Sequence, residues 1–265
     1  MLIDTHCHLD AAEFDADRQA VIAGAIAAGV GMMVVPAVYR DNFAPVLRLP
    51  QQHAECACAL GIHPMYVERS TPDDLQALKS LLDNPHVVAV GEIGLDFFVE
   101  GYNREMQEFY FVEQLKLAKA FDLPVILHVR RSIDTILKYL RIYKVRGGIA
   151  HAFNGSEQQA QEFIKLGFKL GFGGAMTYPR ATKLRHLAEH LPLEAIVLET
   201  DAPDMAPEWL GHGARNSPEQ LPRIAQVLAD LRRENISEII DIAGFNALQA
   251  LPKLTHLCTP AHKSH

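Results

Sequence analysis

Cysteine is scarce in this 265-residue chain, with four residues at positions 7, 56, 58 and 258. Four thiols in a chain of this length do not make a disulfide framework, so they are expected to be reduced. Long apolar runs are also lacking. No window approaches the ~18 uncharged residues of a membrane span. The opening Met-Leu-Ile-Asp-Thr-His has neither the basic start nor the apolar stretch of a secretory signal. A cytoplasmic protein without membrane association is expected, and nothing calls for an obligate protein partner. Positive charge is in deficit: 25 Lys and Arg against 32 Asp and Glu give a formal net charge of −7. This argues against bulk attraction to a polyanion but leaves room for a local basic pocket. Missing too is a glycine-rich phosphate fingerprint after the first apolar run, which removes the main support for a dinucleotide-binding fold.

What is present is an ordinary soluble composition, 49% hydrophobic and 22% charged, with an unusually large complement of 13 histidines. Short β-branched runs alternate with longer helical stretches. The strand candidates are Leu2–Asp4, Gly31–Pro36, Cys56–Gly61, Val87–Gly91, Pro124–His128, Gly148–His151, Phe168–Phe172 and Ala195–Glu199. Most are almost continuously apolar, as parallel strands buried on both faces are. Between them, Thr71-Pro72-Asp73-Asp74 opens a helix, Ser156 with Gln159 forms a capping box, and Gly167 is a helix stop. Ser217-Pro218-Glu219-Gln220 is a further helix start, and Asn103–Phe121 is long and amphipathic. Eight such units predict an α/β fold, a single-domain (β/α)₈ TIM barrel spanning residues 1–265. The tail from Thr255 reads as a loose polar end.

The polar residues fall in a pattern. The first strand runs into Asp4-Thr5-His6-Cys7-His8, where alternation lets His6 and His8 point at one ion while Cys7 points away. Glu92, His128, His151 and Asp201 follow the fourth, fifth, sixth and eighth strands. All six sit at C-terminal strand ends, the face on which barrel active sites assemble. Nitrogen and oxygen donors without a required thiol suit Zn²⁺, Mn²⁺ or Mg²⁺, and six ligands are better matched by two divalent metal cations bridged by Glu92 than by one.

These residues lie within His6-x-His8, Gly61-Ile62-His63-Pro64, Gly91-Glu92-Ile93-Gly94-Leu95-Asp96, His128 followed by Arg130, His151-Ala152-Phe153-Asn154-Gly155 and Glu199-Thr200-Asp201-Ala202-Pro203. In that order they resemble the TatD family of metal-dependent deoxyribonucleases over essentially the whole chain. The resemblance implies a metal-dependent phosphodiesterase acting on DNA. It also implies that His6, His8, Glu92 and Asp201 hold one metal, and Glu92, His128 and His151 the other. Asp201 would orient or deprotonate the attacking water. The segment Gly211-His212-Gly213-Ala214-Arg215-Asn216-Ser217-Pro218 departs from the family's usual Arg-Gly-x-x-Asn-Glu-Pro, and Ala152 and Asn154 replace the usual Cys and Ser. These departures bear on substrate detail more than on metal chemistry.

His63 faces the same mouth and is read as contacting a substrate phosphate or steadying a ligand. Asp96 can orient a ligand histidine or cap a loop. Arg130, Arg131, Arg180 and Arg215 lie just beyond strands and are candidates for one or two phosphate contacts, with Arg130, Arg180 and Arg215 preferred. Trp209 can stack on a base or pack. Cys56 and Cys58 are expected to be core thiols. The expected substrate is DNA or a small phosphoester, cleaved by a water activated by the cations and, on DNA, from the 3′ end of a single strand. The rival is an amidohydrolase-type enzyme acting on a small lactone, cyclic amide or phosphoester; a non-catalytic metal-binding protein comes last, because Asp201 is present to orient a water.

Overall fold

In a computed structural model describing residues 1–258, eight strands run in chain order through one parallel sheet. They are β1 (Leu2–Asp4), β2 (Val30–Pro36), β3 (Cys56–Leu60), β4 (Val87–Asp96), β5 (Val125–Arg130), β6 (Gly148–Ala150), β7 (Phe168–Phe172) and β8 (Ile196–Leu198). The helices are α1 (Arg18–Ala27), α2 (Phe43–Gln52), α3 (Pro72–Leu81), α4 (Arg104–Ala120), α5 (Ile133–Tyr143), α6 (Glu157–Lys165) and α7 (Thr182–His190), followed by α8 (Leu221–Arg232), α9 (Ile236–Ala250) and α10 (Leu254–Cys258). The two ends of the sheet meet through Thr5 N–H, which donates to the Leu198 carbonyl at 3.1 Å, and Asp201 N–H, which donates to the His6 carbonyl at 2.8 Å. None of the described helices is long and apolar enough to cross a membrane.

Strand alternation builds two cores. Ile3, Met32, Val34, Ala57, Ala59, Val88, Ile126, Ile149 and Val197 belong to one buried cluster, the interior of the barrel. Leu251 and Leu254 join that cluster from the end of α9 and from α10 and close its base. Their neighbours along the strands, among them Met33, Val35, Cys56, Cys58, Leu60, Leu170 and Phe172, form the larger core beneath the helices. Cys56 and Cys58 are therefore core thiols, as expected, and Cys7 is fully buried away from the mouth.

Three expectations need correcting. β4 does not stop at Gly91 but continues to Asp96. Its register against β5 shifts between Val90 and Ile93, placing Glu92 inside a bulge rather than beyond a strand end. The strand can continue because its carboxylates are paired within the barrel mouth. Gly94 is required there: it has a φ of +153° and any Cβ would collide with the His128 carbonyl oxygen. Ser217 does not cap a helix with its side chain; it precedes a short 3-10 turn, Pro218–Gln220, which leads into α8. The Thr255 segment is helical as far as Cys258, anchored by buried Leu254, while His262 and His265 lie outside the described residues. The Ser156–Gln159 capping box forms as read, with Gln159 N–H donating to Ser156 Oγ at 3.1 Å and Ser156 N–H donating to Gln159 Oε1 at 3.0 Å.

Ile126 has no exposed surface inside the barrel, whereas Phe245 on α9 is 59% exposed. Ile126→Ala is expected to destabilise the protein by about 2–5 kcal/mol in urea denaturation. Phe245→Ala should stay within about 0.5 kcal/mol of the parent.

Candidate metal centre

The side chains of His6, His8, Glu92, His128, His151 and Asp201 converge at the barrel mouth. His6 Nε2 and His8 Nε2 are 3.2 Å apart. Glu92 Oε2 lies 3.3 Å from the first and 3.5 Å from the second, and Asp201 Oδ1 lies 3.6 and 3.7 Å from the same two atoms. Metal–ligand bonds of about 2.1 Å set at tetrahedral angles put neighbouring donors about 3.4 Å apart, which these separations match. The other oxygen of Glu92 faces a different set: Oε1 lies 3.0 Å from His128 Nδ1, 3.5 Å from His63 Nε2 and 3.9 Å from His151 Nε2. One buried carboxylate thus presents one oxygen to two imidazoles and the other to three.

His63 is closer in than the sequence suggested. It is buried, accepts a hydrogen bond from Met65 N–H through Nδ1 at 3.2 Å, and so aims Nε2 at Glu92. His63, Glu92 and His128 form a donor group tight enough to hold an ion, beside the groups His6–Glu92–His151 and His6–His8–Asp201.

Each turned-in side chain is held from behind. Asp96, whose role the sequence left open, does orient a histidine: its Oδ2 is 3.0 Å from His128 Nε2, so His128 offers Nδ1 to the mouth. Glu199 does the same for His151, with Oε1 3.1 Å from its Nδ1 and 2.6 Å from the Ala152 N–H. Glu199 fits because Gly171 on β7 leaves the space; a Cβ there would run into its carboxylate. Asp4 accepts from His6 N–H, Thr200 N–H and Thr200 Oγ1 at 3.2, 3.0 and 2.6 Å, tying the loop after β1 to that after β8. Asn216 donates to the carbonyls of Thr200 at 2.8 Å and Asp204 at 3.0 Å, fixing the loop that carries Asp201. Gln114 of α4 grips both Ile62 N–H and Ile62 C=O, at 2.6 and 3.0 Å, steadying the approach to His63. Asp201 itself has a φ of +57°, a left-handed conformation that Asp tolerates better than most residues.

Sequence reasoning did not single out Glu199, Asp4, Asn216 and Gln114 as site residues. A signal existed for Gln114: Gln107 and Gln114, seven residues apart, interrupt the buried face of α4 formed by Tyr110, Phe111 and Ala118.

The charges suit a cation. Burial, then the nearby His151, holds the His6 imidazole well below its ordinary range, and burial pushes His63 down to about 4, so both keep a free lone pair at neutral pH. Burial disfavours charge on Glu92 as well, yet His63 and His6 outweigh it and hold that carboxyl well below its usual range. His151 goes the other way: against the opposing effect of burial, Glu199 and Asp201 push it up to about 10. The donors and their spacing fit a divalent metal, which could take His151 only after its proton leaves.

The proposed phosphate contacts separate. Arg215 donates to both Asp17 carboxylate oxygens at 2.8 and 2.6 Å and to the Glu13 carbonyl at 2.8 Å. Arg180 is exposed, lies over Tyr178 and lines a cleft of about 790 Å³ beside the Pro203–Ala206 loop. Arg130 is exposed at the end of β5. Trp209 packs: its Nε1 donates to Gln220 at 2.8 Å and Arg223 lies 4.0 Å from its ring centroid.

Because His151 holds its proton at neutral pH, a metal taking Nε2 must displace it. Divalent-ion affinity measured by chelator competition is expected to rise about tenfold per pH unit between pH 7 and 9. His151→Ala should flatten that profile.

The chain matches the family model described as TatD related DNase over residues 3–252. It is 47% identical over 240 residues to the uncharacterized metal-dependent hydrolase YjjV of Escherichia coli K12, covering 89% of this chain and 92% of that one. It is 34% identical over 239 residues to the 3′-5′ ssDNA/RNA exonuclease TatD of Klebsiella pneumoniae, covering 88% and 91%. The crystal structure of the E. coli YjjV protein superposes with a TM-score of 0.91 at 44% identity, over 95% of this chain and 98% of that one. The chain belongs to the TatD-related DNase family of metal-dependent hydrolases.

Proposed function

We propose that this protein is a phosphodiesterase acting on nucleic acid, with two divalent cations held by the mouth residues. The observation that carries this reading is the division of Glu92: Oε2 faces His6 and His8, while Oε1 faces His63, His128 and His151. His6, His8, Glu92 and Asp201 would hold one cation, and Glu92, His128 and His151 the other, with His63 close enough to join the second set. When bound, such ions lower the pKa of coordinated water to about 7 and neutralise charge on the phosphoryl oxygens. Relatives named as nucleases favour a phosphodiester substrate. The division of Glu92 also favours it over a small lactone or cyclic amide, since an in-line displacement at phosphorus draws on both positions.

The chain's own residues do the rest. Asp201 has a side chain 14% exposed, the outermost of the carboxylates at the centre, which supports its reading as the group that takes the proton of the attacking water. Burial pushes its carboxyl up to about 6, against His151 and His8, so it can accept a proton near neutral pH. Glu199 and Asp96 hold the outer nitrogens of His151 and His128, which keeps both rings turned inward. The relative named a 3′-5′ ssDNA/RNA exonuclease favours exonucleolytic action on single strands as the mode.

Two variants separate binding from chemistry. Asp201→Asn should lower kcat on a single-stranded oligonucleotide by roughly 10²–10⁴-fold while the site still takes up metal. Glu92→Ala should abolish activity and reduce metal uptake at both positions, read by elemental analysis after gel filtration. Normal loading of two ions by Glu92→Ala would end the bridging assignment. Rapid turnover of a lactone or cyclic amide by the metal-loaded protein, with no cleavage of any DNA, would move it to the small-molecule branch.

A further inference from the structure

β4 ends at the mouth in Asp96, and the chain turns through Phe97 and Phe98. Phe98 is 43% exposed, too open to be a core residue. The guanidinium carbons of Arg130 and Arg131 lie 3.9 and 4.6 Å from its ring centroid. Among the described residues neither guanidinium has a hydrogen-bond or carboxylate partner, in contrast to Arg215 with Asp17 or Arg40 with Asp74. An open aromatic ring beside two uncompensated guanidiniums is the combination that binds single-stranded nucleic acid, with a base on the ring and phosphate on the cations.

This group is also fixed relative to the catalytic centre. Asp96 Oδ2 contacts His128 Nε2 at 3.0 Å, while its Oδ1 accepts from Phe98 N–H at 2.9 Å and Val99 N–H at 3.3 Å. Phe97 N–H donates to the Arg130 carbonyl at 2.9 Å, extending the β4–β5 pairing past the strands. Ser132 Oγ donates to the Leu95 carbonyl at 2.6 Å and secures the turn made by Arg131, which has a φ of +53°. A single carboxylate thus positions both a histidine of the centre and the exposed ring. Local positive charge on a protein of net charge −7 marks where a polyanion can approach.

We propose that Phe98, Arg130 and Arg131 form the platform that grips the single strand next to the scissile phosphate, an inference that rests on the phosphodiesterase reading above. Phe98 stacks a base, and the guanidiniums that now cover its ring pass to the neighbouring backbone phosphates. The three residues set affinity for a strand and take no part in bond cleavage.

The test is fluorescence anisotropy of end-labelled oligothymidylate and oligouridylate on metal-loaded protein carrying Asp201→Asn to slow turnover. Adding Phe98→Ala should weaken binding by about tenfold, and Phe98→Trp should preserve it. Arg130→Ala with Arg131→Ala should lower the slope of log affinity against log salt by about 1.4. With Asp201 intact, Phe98→Ala should raise KM for an oligonucleotide severalfold while kcat stays that of the parent. The proposal is overturned if no strand binds, if Phe98→Ala binds as the parent does, if Phe98→Leu equals Phe98→Trp, or if kcat on the oligonucleotide falls while KM is unchanged. Phe98-dependent strand binding without cleavage by the unaltered enzyme would uphold the platform and overturn the phosphodiesterase reading. Cleavage with Phe98-independent binding would do the reverse.

Discussion

Glu92 is a buried carboxylate surrounded by imidazoles: His6 and His8 at one oxygen, His63, His128 and His151 at the other, all within 3.9 Å. Such a cluster is costly for a protein to bury, since ionised groups lose their hydration and lone pairs oppose one another. Divalent cations would resolve the conflict by giving the inward donors shared partners. Much of the mouth is arranged to keep these donors aimed inward. The bulge after Val90 turns Glu92 in, and Gly94 and Gly171 leave room for the His128 backbone and the Glu199 side chain.

Around that centre the protein fixes rings through their outer nitrogens. Asp96 holds His128 and Glu199 holds His151, so a carboxylate stands behind each of the two histidines contributed by β5 and the end of β6. Asp4 and Asn216 hold the loops instead, joining the start of the chain to the segment after β8 and thereby placing His6 beside Asp201. Asp96 has a second task, since its other oxygen sets the Phe98 turn. The interior of the barrel below, packed with Ile3, Val34, Ile126 and Val197 and closed by Leu251 and Leu254, is the rigid base that makes such placement reproducible.

Much of this could be read from the sequence, for a physical reason. A parallel strand buried on both faces is apolar along its length, so a histidine or carboxylate at its end stands out, as His128 and His151 do. The eight strands and the six converging side chains came from that contrast. It failed where polarity continued inside the fold: the sequence pattern ends β4 at Gly91 because polar Glu92 follows, although Glu92 and Asp96 are both buried within the sheet. It also gave no weight to Glu199, whose partners lie 47 and 48 residues away in sequence. Nothing local in the sequence shows that Arg215 pairs with Asp17, 198 residues away. Phe98 carries no signal in the sequence, because its exposure and the two arginines beside it arise only from the fold.

The chemistry proposed for the mouth depends on the two oxygens of Glu92 serving two cations. Anomalous diffraction from crystals of the protein loaded with Zn²⁺ or Mn²⁺, recorded on either side of the metal edge, tests it directly. Two peaks about 3.5–4 Å apart are expected, one among His6, His8 and Asp201 and the other between His128 and His151, with Glu92 between them. A single peak under saturating metal, or two peaks with Glu92 touching only one, would contradict it.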